Sequence, residues 1–337
     1  MVETNLVFCT LFDSNYIDKG LALYESLLAN TEHFRLYIFT FDQLSYDILV
    51  DLKLINVIAI PLSDFETQEL LNVKNERSQA EYCWTSTPIT IEHVMTKYNE
   101  KICTYIDADI YFHNNPNVLF DEFIHSGNNS VVITEHRYSE DYYEKGVKES
   151  GKYCVQFNTF VNDENGLNTL RWWKEQTLEW CSYTKKGEKK GDQKYLESFS
   201  SLFDGVYELK HLGGGVAPWN IKQYELVDKN QMVLRYKGIN FPVVFYHYQN
   251  IRYLPFGFVN IKSQTKDKSL KYALYYPYLQ HIEKIRQLLK IKYSLNFSIK
   301  KGYYKNPILQ FIQSYIMPFK ISVFSDIMSL RKVRKLK

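Results

Sequence analysis

Asn5–Thr10 (NLVFCT) is a short apolar run bounded by polar residues, the pattern of a buried strand. Ile17, Leu21, Tyr24 and Leu28 then recur at helical spacing. The alternation continues: Arg35–Phe39 predicts a strand, Leu44–Leu52 a helix, and Asn56–Ile60 a third strand closed by Pro61. Thr87–Tyr98 predicts a helix with Thr87 as N-cap and Pro88 at the first helical position, and Ile102–Ile106 another buried strand. This βαβαβ rhythm implies an α/β fold, a mostly parallel sheet with helices on both faces. Ligands of such sheets bind beyond the carboxyl ends of the strands. No GxGxxG follows the first strand, which disfavours a dinucleotide site.

The second half is less regular. Tyr153–Asp163 alternates like a strand, and Gly166–Cys181 reads as an amphipathic helix with Leu170, Trp173, Leu178 and Cys181 near one face. Lys185–Asp192 is a polar loop, and His211–Asn220 (HLGGGVAPWN) a glycine-proline loop carrying a tryptophan. Phe241–Asn250 contains a buried strand running up to His247. From about Lys262 the chain turns Lys/Tyr-rich and reads as helical. The expected division is an α/β domain over residues 1–260 and a helical, basic C-terminal extension over 261–337.

Composition narrows the function classes. With 337 residues, 45% hydrophobic and 23% charged, the chain is an ordinary globule able to bury a sizeable core. A net charge of +3 excludes a dedicated nucleic-acid binder. The 28 Tyr and 21 Phe reflect either an AT-rich genome or a surface that stacks on sugars and bases. Cys9, Cys83, Cys103, Cys154 and Cys181 are odd in number and form no CxxC pair, the usage of a cytosolic protein with reduced thiols. MVETNLVFCT has neither the basic nor the long apolar region of a signal peptide, and no run of 18 apolar residues occurs.

The chemistry lies in TYIDADIYFHNNP, Thr104–Pro116. In an extended segment, residues i and i+2 share a side, so Asp107 and Asp109 can face one point. Alone they would repel, and one would tend to stay protonated. A hard divalent cation, shared with a substrate phosphate, resolves that conflict. On this motif alone, a solvated loop after a strand remains the alternative. An EF-hand is excluded because Tyr111 and Phe112 stand at its fifth and sixth loop positions. A haloacid-dehalogenase-type phosphatase fits poorly, since Tyr111 falls where a small or β-branched residue is usual, and a P-loop is absent.

The same segment resembles the DxD signature of GT-A-type glycosyltransferases related to family 8. FDSNYIDKGLALYESLL resembles that family's nucleotide-binding entrance, GDQKYL its DQ-containing helix start, and FYHYQN its late histidine segment. Together with EYCWTSTP, FNTFVNDENGLNTLRWWKE and GGGVAPWN, they look like a bacterial subgroup of nucleotide-diphospho-sugar transferases, over roughly Asn5 to Arg252. The resemblance implies a GT-A fold: Rossmann-like, mostly parallel central sheet, flanking helices. It implies a metal-dependent, retaining transferase. The donor would be a nucleotide-sugar, UDP-linked, and the acceptor a bacterial surface polysaccharide or lipooligosaccharide. Asp107 and Asp109 would ligate Mn²⁺ or Mg²⁺, with His247 as third protein ligand and Ala108 beside the donor. Asp13, Asn15 and Tyr16 match positions that hold uracil and ribose, with Thr10 next to them. Asp192 and Gln193 match the pair at the donor sugar and reaction centre. Simpler local roles are helix capping for Asp13, Ser14 and Asp192, and core packing for Tyr16.

Two segments depart from the family pattern. YCVQFNT replaces an Asn-Ala-Gly strand start, so Gln156 and Asn158 would take over sugar contacts. The HxxGxxKPW segment is absent, and Arg252 would meet the phosphate in place of its lysine. Trp219 is either a stacking platform or a buried residue of a structural turn. Arg331, Lys332, Arg334, Lys335 and Lys337 suit either peripheral contact with the anionic inner face of a membrane, or a solvated end beyond a packed helix. Two rivals remain: a phosphohydrolase using the DxD with Mg²⁺, and a non-catalytic carbohydrate-binding protein.

Overall fold

The computed structural model describes residues 5–184, 186, 187, 189–297 and 326–333. Among them, nine strands precede residue 220. They are β1 (Leu6–Phe12), β2 (Phe34–Thr40), β3 (Val57–Pro61), β4 (Ile102–Ile106), β5 (Ile110–Phe112), β6 (Val131–Glu135), β7 (Tyr153–Val161), β8 (Val206–Glu208) and β9 (Gly214–Val216). Seven form the central sheet, in the order β3-β2-β1-β4-β7-β6-β8. β1, β2, β3 and β4 run parallel, as do β6 and β8, while β7 is antiparallel to both β4 and β6. The α/β fold with a mostly parallel central sheet is thus the one the alternation predicted. The strand order reverses between β1 and β4, which opens a crevice beyond their carboxyl ends.

Further strands follow: a meander of β10 (Glu225–Asp228), β11 (Val233–Tyr236) and β12 (Ile239–Pro242), then β13 (Phe245–His247), β14 (Arg252–Leu254), β15 (Phe258–Asn260) and β16 (Ile327–Ser329). β13 sits between β5 and β9 in a small second sheet, and β15 sits between β14 and β16 in another. The glycines of HLGGGVAPWN make the second sheet possible. A side chain at Gly213 would strike the Pro242 carbonyl, and Gly214 packs on Leu209 and Leu119.

One helix begins well before the sequence reading placed it. Gln79–Lys97 starts at Ser78, not Thr87. Ser78 and Glu81 form a capping box: the Ser78 amide donates to the Glu81 carboxylate (2.8 Å), and the Ser78 Oγ accepts from the Glu81 amide (3.4 Å). Two satisfied amides nucleate the helix there and outweigh the proline signal. Pro88 therefore lies inside the helix and Thr87 on a buried face.

Both sides of the central sheet are apolar. The helix Ile17–Asn30 and the long helix Lys268–Tyr293 share one core with β1, β5 and β13, through Phe8, Leu21, Tyr246, Leu274 and Ile282. Asp18, fully buried, receives the Arg286 guanidinium at 2.6 Å and ties these two helices together. Leu330 and Val333 are buried in the same core, while Arg331 and Lys332 are exposed. Arg334, Lys335 and Lys337 of the basic tail lie outside the described residues. None of the five cysteines is paired; all are buried except the half-buried Cys83. Among the described residues no helix is long and apolar enough to cross a membrane.

Candidate active site

The DxD segment is the bend at which the chain leaves one sheet for another. β4 ends at Ile106, inside the central sheet; β5 begins at Ile110 and pairs with β13. The turn is fixed by backbone bonds. The Asp107 amide donates to the Gln156 carbonyl (3.2 Å), the Ile110 amide to the Asp107 carbonyl (3.1 Å), and the Tyr248 amide to the Asp109 carbonyl (2.8 Å). The β5–β13 register sets His247 opposite Ile110, so the imidazole arrives beside Asp109. Asp107, Asp109 and His247 each offer a ligand atom, all within 4.8 Å of one another. His247 Nε2 is 2.9 Å from Asp109 Oδ1 and 3.7 Å from Asp107 Oδ2.

On its other side, His247 Nδ1 lies 2.9 Å from Gln156 Oε1. An amide oxygen only accepts, so Nδ1 carries a proton; Nε2 donates to Asp109 Oδ1 and would become a ligand atom on giving up that proton. Gln156 thereby orients the ring as carbonyls do behind metal-bound histidines. Two carboxylates and one imidazole form a donor set fit for a divalent cation. Trp219 closes the back. It is 6% exposed, donates Nε1 to the His136 carbonyl (2.8 Å), and meets the His247 ring edge-on at 5.4 Å. The structure makes Trp219 a wall rather than an open stacking platform.

The electrostatics are those of a site built around charge. Burial works against ionisation at Asp109, but His247 and Lys19 prevail and hold its carboxyl far below the usual range. Asp107 is pushed up to about 6, by burial first and by Asp109 besides, against the pull of His247. Burial opposes a charge on His247, yet Asp109 and then Asp107 raise it. Asp192, 7% exposed, is pushed up to about 7 by burial and by the Asp107 charge.

Asp192 precedes the short helix Gln193–Ser198, and its side chain makes no capping bond. It accepts instead from Thr87 Oγ1 at 3.4 Å, so the simple N-cap role is absent. Gln193 donates to the Ser150 carbonyl (2.8 Å). Asn158 pairs with Tyr105 across β7 and β4, is fully buried, and neither its amide oxygen nor its nitrogen has a hydrogen-bond partner; Gln156 Nε2 has none either. Thr10 and Ala108 are buried, and the Thr10 hydroxyl is unpartnered. Asp13 does not cap the first helix: its oxygens accept from the Asn15 amide and side chain (3.0 Å each) and from Gln79. Ser14 turns to Asp42 (2.7 Å), and Tyr16 holds the N-cap position with no side-chain capping bond. Arg252 is exposed at the start of β14, paired in register with Asn260, and makes no ion pair with the triad.

Three neighbours went unnoticed in the sequence. Lys19 reaches to 3.7 Å from Asp109 Oδ2. Tyr105 donates to Asp107 Oδ1 (3.2 Å). Thr87, the helix start expected from sequence, instead donates to Asp192 (3.4 Å). Tyr105 had a usable signal, since it precedes Asp107 by two in the strand; Lys19 and Thr87 had none, because they converge only in three dimensions.

No family model matches the chain. Among curated proteins it is similar to YfnF of Bacillus subtilis (strain 168), described as uncharacterized. The two are 28% identical over 289 residues, 84% of this chain and 94% of that one. Among solved structures it is similar to mouse xyloside xylosyltransferase 1, with a TM-score of 0.47 and 13% identity, covering 73% of this chain and 98% of that one. It is also similar to an active-site mutant of LgtC, with a TM-score of 0.43 and 13% identity, covering 73% and 88%.

Proposed function

We propose that the chain is a metal-dependent, retaining glycosyltransferase of the GT-A type, related to family 8. It takes a sugar from a UDP-linked donor and passes it to a bacterial surface polysaccharide or lipooligosaccharide. The observation that carries this reading is the convergence of Asp107, Asp109 and His247 on one point, at the carboxyl end of β4 where the strand order reverses.

Asp107, Asp109 and His247 are the residues that would hold Mn²⁺ or Mg²⁺, with Gln156 keeping the imidazole in its ligating tautomer. A divalent ion held there supplies Lewis-acid charge to a leaving diphosphate. Trp219 and the glycine strand behind His247 keep water from that side. The buried, unpartnered Gln156 Nε2 and Asn158 amide are donors and an acceptor for sugar hydroxyls, as their departure from the family pattern suggests. Asp192, with a pKa near neutrality, can give or take a hydrogen bond from such a hydroxyl. Asp13, Asn15 and Tyr16 line the entrance assigned to uracil and ribose.

The test is calorimetric titration of UDP with and without Mn²⁺, beside a donor-hydrolysis assay, on the wild type and Asp109→Asn. UDP is expected to need Mn²⁺ for tight binding. Asp109→Asn is expected to weaken that binding strongly and to lower transfer by about 10²-fold or more, the scale of losing a transition-state charge partner. UDP binding that ignores Mn²⁺, or near-wild-type transfer by Asp109→Asn, would overturn the reading. A phosphohydrolase would respond to metal but not to uridine, and a sugar-binding protein to neither.

A further inference from the structure

Lys19 is the third residue of the helix Ile17–Asn30, and its ammonium is almost entirely out of water. It lies over the Tyr16 ring, 3.8 Å from the centroid, and 3.7 Å from Asp109 Oδ2. That distance is an ion contact but too long for a hydrogen bond. The neighbouring carboxylate is largely committed elsewhere: one Asp18 oxygen accepts from the Lys19 amide (2.9 Å), the other from Arg286 (2.6 Å), so Asp18 and Tyr16 support the Lys19 charge less than Asp109 does. Asp109 is in turn shared, since its other oxygen is engaged by His247. A buried cation therefore rests on the second carboxylate of the DxD, the same group that a divalent ion would take.

We infer that Lys19 is a diphosphate-binding residue that pairs with Asp109 in the metal-free protein and turns to a phosphate oxygen of the donor once a divalent ion takes that carboxylate. This inference rests on the reading above. The ion and Lys19 compete for one charge, so the ion alone binds against Lys19. A buried ammonium stripped of its counter-ion is costly, and it seeks the nearest anion. The donor's diphosphate brings that anion to the N-terminal end of the same helix, where negative charge is also favoured by the helix dipole. Lys19 thus couples the two ligands: each improves the site for the other, as linkage requires.

The experiment measures Mn²⁺ binding by the loss of the free-ion electron paramagnetic resonance signal, and UDP binding by calorimetry. It uses the full chain as wild type, Lys19→Met and Lys19→Arg. Without UDP, Lys19→Met is expected to bind Mn²⁺ more tightly than wild type, because the competitor is gone. At saturating Mn²⁺, it is expected to bind UDP about tenfold more weakly, within the usual range of coupling between sites. Lys19→Arg, which keeps the charge, should retain most of the UDP affinity. The opposed signs separate this role from a structural one, which would weaken both ligands together. Mn²⁺ binding by Lys19→Met that is no tighter than wild type, or undiminished UDP binding at saturating Mn²⁺, overturns the inference. Should Lys19→Met fail to fold, Lys19→Gln, which keeps a polar head without charge, gives the same comparison. Loss of Mn²⁺–UDP synergy in the wild type would sink the proposed function itself; synergy kept in Lys19→Met sinks only the role of Lys19.

Discussion

Asp192 shows how burial turns an ordinary carboxylate into a tunable group. It titrates at about 7 in the folded chain, against about 3.9 for an unfolded aspartate. The folded state then binds the proton more tightly, so this group's contribution is present below about pH 4 and is lost as the pH rises through 7. Asp192→Asn is therefore expected to stabilise the metal-free protein at pH 8, by on the order of 2 kcal/mol in urea denaturation with EDTA present, and much less at pH 5. On the proposed function, the same variant is expected to lose most of its transfer rate while holding UDP as before, because UDP lacks the sugar that Asp192 would meet. Equal stabilisation at both pH values would show that its charge is not held out of water. Gln156 makes a second test. Gln156→Leu removes the acceptor that orients His247 and is expected to weaken Mn²⁺ binding by about 10–100-fold. Unchanged Mn²⁺ affinity would mean that the ring is positioned by packing alone.

Among the elements, the helix Ile17–Asn30 is held to narrow tolerances on two sides. Gly20 abuts the Phe12 ring of β1, with no space for a side chain. Alanine is the better helix former by up to about 1 kcal/mol. Yet Gly20→Ala is expected to destabilise by about 1–3 kcal/mol, the range for overpacking a filled core. It should also disturb nucleotide binding, because Tyr16 and Lys19 ride on the same turn. On the opposite side, Arg286→Met would leave the buried Asp18 charge without its guanidinium partner, at a cost of about 3 kcal/mol in urea denaturation. A loss below about 1 kcal/mol in either variant would show that the helix can shift, and that its first turn is less firmly placed than the packing says.

For the whole molecule, binding and stability should be linked. UDP and Mn²⁺ together, at about 100 times their dissociation constants, are expected to add about 2.7 kcal/mol. Either one alone should add much less, and a thermal melt reads the difference. The end of the chain answers to a similar measurement. Leu330 and Val333 are core residues, so truncation before Leu330 is expected to lower the melting temperature, and the basic end is better tested by truncation after Val333, which keeps both. The latter variant lacks Arg334, Lys335 and Lys337. If those cations meet an anionic bilayer, vesicle binding should drop by on the order of 1 kcal/mol per charge, with turnover on a soluble acceptor unchanged. Identical co-sedimentation before and after the cut would remove the membrane from the reading.

The alternating runs from Asn5 to Ile106 determined the α/β rhythm and most element positions, because buried parallel strands and amphipathic helices have periods a linear sequence displays. The DxD carboxylates were legible for the same reason: they stand two apart at the end of a recognisable strand. The start of helix 79–97 was missed although Ser78 and Glu81 spell a capping box, since Thr87–Pro88 offered a competing signal of the same kind. What only the tertiary structure decided is the company these residues keep. His247 reaches Asp109 through the register of β5 on β13, across 138 residues of chain. Lys19 arrives from the first helix, Gln156 from an antiparallel strand inside a largely parallel sheet, and Thr87 from the middle of a helix. Each of these contacts depends on how sheets twist and helices dock. No local pattern of residues encodes that, so the charges facing Asp109 could be read only once the chain was folded.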